Sequence, residues 1–123
     1  MKKLISFFEI PASDFGRAVK FYEAIFGIQL PVMECETEKM AFFTEEGTEQ
    51  YAGAISSADN FLPSDRGVLL HFNCEDIAET SARVEQNGGE IIIPRTKILA
   101  ENRGYFCVFA DSEGNHVGLY ADK

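Results

Sequence analysis

"SFFEIPASDFGRAVKFYEAIFG", Ser6 to Gly27, decides the fold, because its order of signals returns 62 positions later in "LLHFNCEDIAETSARVEQNGG", Leu69 to Gly89. Each stretch opens on a short apolar run, passes through an aspartate, continues with apolar residues at helical spacing and stops at glycine. One offset maps Asp14 onto Asp76 and Gly27 onto Gly89. In the first copy Phe15, Ala18, Val19, Tyr22 and Phe26 recur at helical spacing. Ser13 or Asp14 is placed to cap that helix by accepting from a backbone N–H its first turn leaves unpaired. Gly27 is placed to end it. In the second copy Asp76 is the cap, Ile77, Ser81 and Val84 make a thinner stripe, and "NGG" is the stop.

Three strand-like runs follow each helix. The first set is "IQLPVM", "MAFFT" and "YAGAIS"; the second is "EIIIP", "YFCVFA" and "HVGLY", with "DSEGN" as the clearest turn between runs. The pattern predicts βαβββ twice within a single α+β domain over 1–123, a first module at 1–62 and a second at 63–123. A lone unit leaves an open sheet with one helix-covered face, so the two units must share burial.

Composition supports one globular domain. The 123 residues are 46% hydrophobic, with 11 Phe and 4 Tyr, enough for a single core. The net charge of −9 and a longest basic cluster of Lys2-Lys3 argue against binding a nucleic-acid backbone. No apolar stretch approaches the roughly 18 residues that span a bilayer, so no membrane partner is expected. "MKKLISFFEIP" places a basic pair before apolar residues, but Glu9 and Pro11 interrupt it and no small-residue cleavage site follows, unlike a signal peptide. Cys35, Cys74 and Cys107 are odd in number and lack CxxC spacing, which fits reduced thiols and a cytoplasmic location. Between Met33 and Gln50, Glu34, Glu36, Glu38, Glu45, Glu46 and Glu49 face a single Lys39. This is a solvated hairpin surface or, on a sharper reading, a negative rim that attracts cationic ligands.

The paired modules, carried by "FFEIPASDFGRAVKFYEAIFG", "FNCEDIAETSARVEQNGGEI" and "GYFCVFADSEGNHVGLY", resemble the vicinal oxygen chelate superfamily. Glyoxalase I, extradiol dioxygenases, methylmalonyl-CoA epimerase and bleomycin-resistance proteins belong to it. The resemblance implies a curled, cup-shaped mixed sheet with helices on its outer face, and a homodimer. For metal-dependent members it implies four ligands pointing into the cup, one on the first strand and one on the last strand of each module. The first-strand position, seven residues before the capping aspartate, is Phe7 in one module and Leu69 in the other. The last-strand position of the second module is Gly118, and Gly53 is the best match in the first. None offers a metal a side-chain donor, and a divalent ion needs about three protein ligands. No metal and no other cofactor is therefore expected.

Strand alternation places the remaining candidates. If Leu69 points into the cup, so do His71 and Asn73, while Leu70 and Phe72 pack under the helices. Phe7 and Glu9 likewise face the cup, and Glu9 and His71 are equivalent in the repeat. On the last strand His116, Gly118 and Tyr120 share that face, with His116 at the rim. The candidate ligand-binding set is Phe7, Glu9, Leu69, His71, Asn73, Gly118 and Tyr120, and the candidate catalytic pair is Glu9 and His71. A carboxylate and an imidazole there could bind a ligand, move a proton, or hydrogen-bond within a partly wet cavity. Three functions follow. The first is a metal-free binder of a small organic molecule, like the resistance proteins. The second is an isomerase, epimerase or lyase related to lactoylglutathione lyase, with Glu9 or His71 as base. The third is a non-catalytic scaffold. No dinucleotide or phosphate loop and no nucleophile elbow is present. Cys74, beside Glu75 and Asp76, is expected to have a raised pKa and to be a poor nucleophile.

Overall fold

The computed structural model describes residues 4–45, 47–100 and 103–123. Lys2, Lys3 and Glu46, which entered the charge argument, lie outside the described residues. The chain runs β1 (Phe8–Pro11), α1 (Phe15–Phe26), β2 (Val32–Glu34), β3 (Glu38–Thr44) and β4 (Tyr51–Ala58). It continues with β5 (His71–Asn73), α2 (Ile77–Gln86), β6 (Glu90–Lys97), β7 (Tyr105–Ala110) and β8 (His116–Ala121). Both βαβββ modules are present. Their strands form two four-stranded mixed sheets in the same order, β1-β4-β3-β2 and β5-β8-β7-β6. In each, the first strand lies parallel to the last and the other pairings are antiparallel. No described helix is long and apolar enough to cross a membrane.

Of the two cap candidates on α1, Asp14 takes the role: its backbone is extended and its side chain accepts the Arg17 N–H at 3.1 Å. Gly27 ends the helix in the left-handed region, at φ 65°. The buried face is broader than the expected stripe. It includes Phe21 and Ile25 beside Ala18 and Tyr22, while Phe15, Val19 and Phe26 are only partly buried. The reason is that α1 serves both sheets. Tyr22 meets Phe43 of β3 edge-on at 5.6 Å and Phe72 of β5 at 6.1 Å, and Phe21 meets Phe109 of β7 at 6.1 Å. Asp76 caps α2, whose buried residues are Ile77, Thr80 and Val84, with Thr80 in the place expected for Ser81.

The inner edges of the two sheets meet through side chains. Phe8 on β1 lies edge-on to Phe72 on β5 at 5.7 Å, and Phe26 packs on Phe72 at 4.9 Å. Each large apolar side chain buried in such a cluster contributes about 1.5–3 kcal/mol relative to exposure. Neither module could bury these rings alone.

A polar clamp fixes one end of this seam. The Tyr22 hydroxyl donates to Asp111 Oδ2 at 2.6 Å. Burial first, and then the adjacent carboxylate, push its pKa well above the ordinary tyrosine value. Asp111 Oδ1 accepts the N–H groups of Glu113 and Asn115. Asn115 Nδ2 donates to the Pro11 carbonyl at 2.8 Å, and its Oδ1 accepts the Ser64 N–H. Glu113 then receives the Asp14 N–H and Arg17 Nε, each at 2.7 Å. The "DSEGN" turn thus ties the second module to the β1–α1 junction of the first.

Candidate functional site

On β5, Phe72 packs into the aromatic core and Leu70 against it, while His71 and Asn73 are exposed. The parallel register sets His71 beside Gly118 and Asn73 beside Tyr120, so these four share the face turned away from the helices. A Cβ on Gly118 would lie 2.2 Å from His71 Nδ1. The imidazole therefore lies across the β8 backbone, in space that only glycine leaves. The rows continue on β7 with Val108 and Phe106, and the His71 ring is 6.4 Å from that of Phe106. The Tyr120 hydroxyl donates to Asp122 Oδ1 at 3.1 Å. Burial and then this bond raise its pKa.

In the first module the matching row is Glu9, Ala54 and Phe42. Glu9 Oε1 accepts from Ser56 Oγ at 2.8 Å, which satisfies a hydroxyl that is almost fully buried. Phe7 is 38% exposed and meets Phe42 at 6.3 Å. Leu69 is exposed just before β5. His116 is half-buried beside the β7–β8 turn. Phe42, Ala54, Ser56 and Phe106 were not among the sequence candidates. Strand alternation on β3, β4 and β7 would have found them once the register was known.

Gly53 does not occupy the last-strand position expected for it. Its register partner is Phe8, and a Cβ there would lie 2.4 Å from the Phe8 ring, on the helix side. The pairing of β3 with β4 shifts between Phe43 and Thr44, so Ala52 is an extra residue. That bulge turns every later residue to the other face relative to a count from the turn. The open-face position is Ala54, the partner of Glu9, just as Gly118 is the partner of His71. The metal set implied by the resemblance thus falls on Phe7, Leu69, Ala54 and Gly118, which supply no donor side chains. Among the described residues no group of three or more His, Cys, Asp or Glu is arranged to hold a metal ion. The residues do not fit that cofactor.

The Cys74 pKa is raised, as the neighbouring acids led one to expect, but burial is the main cause and the charge of Asp76 a smaller one. A cavity of about 1240 Å³ opens beside β5. Of the seven ligand-binding candidates only His71 and Asn73 line it. Its other walls come from the C-terminal end of α1, the β3–β4 turn and the β5–α2 junction. Phe7, Glu9, Leu69, Gly118 and Tyr120 are not brought into it.

The fold has relatives. A fungal glyoxylase-like domain-containing protein from Didymella fabae is 34% identical over 115 residues, which cover 90% of this chain and 88% of that one. Glyoxalase I from Zea mays superposes with a TM-score of 0.70 at 16% identity over 94% of this chain, which spans only 45% of the maize enzyme's length. A glyoxalase/bleomycin resistance protein from Albidiferax ferrireducens matches at 0.66 and 20% identity, covering 97% of this chain and 99% of that one. An antibiotic binding protein from a Streptomyces species matches at 0.67 and 19%, covering 98% and 96%. The family model of the Glyoxalase/Bleomycin resistance protein/Dioxygenase superfamily matches residues 4–119. With the module order and the register rows in agreement, the chain belongs to that superfamily.

Proposed function

We propose that this protein binds a small organic molecule on the open face of its sheets, without a metal ion. One observation carries the reading: Glu9 and His71, equivalent in the repeat, each stand beside a residue with almost no side chain, Ala54 and Gly118. Two exposed titratable groups on that face, flanked by Phe7, Phe42, Phe106 and Tyr120, suit a planar ligand with a polar edge. Structural likeness to an antibiotic binding protein supports this class of partner over nucleic acid.

The test is a thermal-shift screen with amines, thiol conjugates and aromatic acids, because a ligand selective for the folded state raises stability by about 2.7 kcal/mol at one hundred times its Kd. The reading expects a compound whose effect is lost in His71→Ala. If no compound raises Tm, the scaffold reading prevails. If a thiol conjugate is converted, and the conversion is lost in both Glu9→Gln and His71→Ala, the chain is instead an enzyme related to lactoylglutathione lyase.

The working form in this reading is a homodimer in the reducing cytoplasm, where Cys35, Cys74 and Cys107 stay free. Leu4, Val68 and Leu99 are almost fully exposed, an arrangement a second copy would relieve. Sedimentation should give a dimer at micromolar concentration, and a monomer would refute this assembly.

A further inference from the structure

The two modules repeat their turns as well as their strands, but the residues that form the Glu113–Arg17 pair in one are replaced in the other. In the second module the Asp111 N–H bonds the Asn115 carbonyl and the Gly114 N–H bonds the Asp111 carbonyl. In the first, the Glu45 N–H bonds the Gln50 carbonyl and the Thr48 N–H bonds the Glu45 carbonyl. Glu45 therefore stands where Asp111 does, Thr48 where Gly114 does, and Gly47 where Glu113 does. The second-module turn closes on the β1–α1 junction, where Glu113 holds Arg17. The first-module turn faces the β5–α2 junction, where the 62-residue offset puts Glu79 in the place of Arg17 and Glu75 in that of Ser13.

Both members of the ion pair have changed. Glycine replaces the anion and a carboxylate replaces the cation. Where the other end of the molecule has a closed clamp, this end has the cavity of about 1240 Å³, with Gly47 and Glu79 both in its wall. Its interior is aromatic, formed by Phe8, Phe26, Phe43 and Phe72. Glu45, Glu75, Asp76 and Glu79 also line it, and the last three are exposed and so mark its mouth. Arg83 is the one cation among the described residues of the wall, and it is paired with Glu79 one helical turn away.

We propose that this cavity is a second binding site, which meets the open face only at His71 and Asn73, for a small organic cation. An ammonium or guanidinium group lies between the Gly47 turn and the carboxylates of Glu75 and Glu79, supplying the charge that Arg17 supplies at the other end. The apolar body of the ligand rests on Phe26 and Phe72, whose ring faces favour a cation as well as a hydrocarbon. A bare metal ion does not suit the place, because the interior is hydrocarbon and the described residues hold no ligand set for one. Anions are repelled by the mouth.

The test is titration of benzyltriethylammonium, with benzenesulfonate as the anion of similar body, followed by amide NMR and calorimetry. The cation should shift the amides of Gly47, Thr48, Glu75 and Asp76, and the anion should not. Glu75→Gln with Glu79→Gln should weaken the cation about tenfold or more, a loss of about 1.4 kcal/mol. Arg83→Gln should tighten it, because an internal competitor for Glu79 is gone. Glu34→Gln with Glu36→Gln makes the same change of net charge on the remote hairpin and should leave affinity within about twofold, since solvent screens exposed charges over about 10 Å. The proposal is overturned if both probes bind alike or neither binds. It is equally overturned if the remote pair of substitutions costs as much as the local pair, if Arg83→Gln weakens binding, or if the shifts fall on Glu9, Phe106 and Tyr120. This last result would assign the cation to the open face and leave the reading of that face standing.

Discussion

Replacing Glu113 with glutamine should cost stability at neutral pH and almost none in strong acid. Burial pushes the Glu113 carboxyl upward, but hydrogen bonds from Arg17, the Asp14 N–H and Ser112 outweigh it and hold the pKa at about 2, against an ordinary 4.5. At about 1.36 kcal/mol per unit, the shift sets a ceiling of about 3 kcal/mol. The Arg17 side chain is 54% exposed, so water screens its half of the pair and the net contribution should be about 1–2 kcal/mol. The sign follows from linkage. A carboxyl with a lower pKa folded than unfolded stabilises fully above about pH 4.5, and that stability is lost as pH falls towards about 2. Urea unfolding of wild type and Glu113→Gln, followed by circular dichroism at pH 7, 5 and 3, reads the difference directly. Wild type should lead by about 1–2 kcal/mol at pH 7 and 5, and by clearly less at pH 3. A gap that is equal at pH 7 and pH 3, or absent at pH 7, would refute the reasoning.

Three further outcomes follow from the geometry. Tyr22→Phe removes the donor to Asp111 and should cost about 1–2 kcal/mol in denaturant titration; an unchanged midpoint would mean the clamp does not hold the modules. Gly53→Ala drives a methyl into the Phe8 ring and should cost about 1–3 kcal/mol through overpacking; a neutral result would place Gly53 on the open face after all. Elemental analysis of protein purified without chelator should show no stoichiometric divalent metal, and near one zinc, nickel or iron per chain would overturn the metal-free reading.

The local signals in the sequence were enough for the elements that depend on them. Asp14, Asp76 and Gly27 announce helix ends because capping is a matter of a few adjacent residues. The offset of 62 exposed the duplicated module, and alternation put His71 opposite Phe72. What depends on contacts between distant residues stayed hidden. Phe21 and Ile25 were missed because one helix face does not show that α1 packs on two sheets. The bulge at Ala52 was missed because it becomes visible only when β3 and β4 are paired, and it moved the expected position from Gly53 to Ala54. "DSEGN" read as a turn, yet nothing local shows that Glu113 reaches Arg17, 96 positions away. Nor does anything local show that Gly47 and Glu79, far apart in the chain, line one cavity beside β5.

The measurement that tests the central claim most directly is calorimetric titration of the strongest thermal-shift compound into protein dialysed against EDTA, using wild type, Glu9→Gln and His71→Ala. The account predicts that wild type binds without added metal and that each substitution weakens binding about tenfold, or about 1.4 kcal/mol. Binding that requires added metal, or that is unchanged by both substitutions, would contradict it.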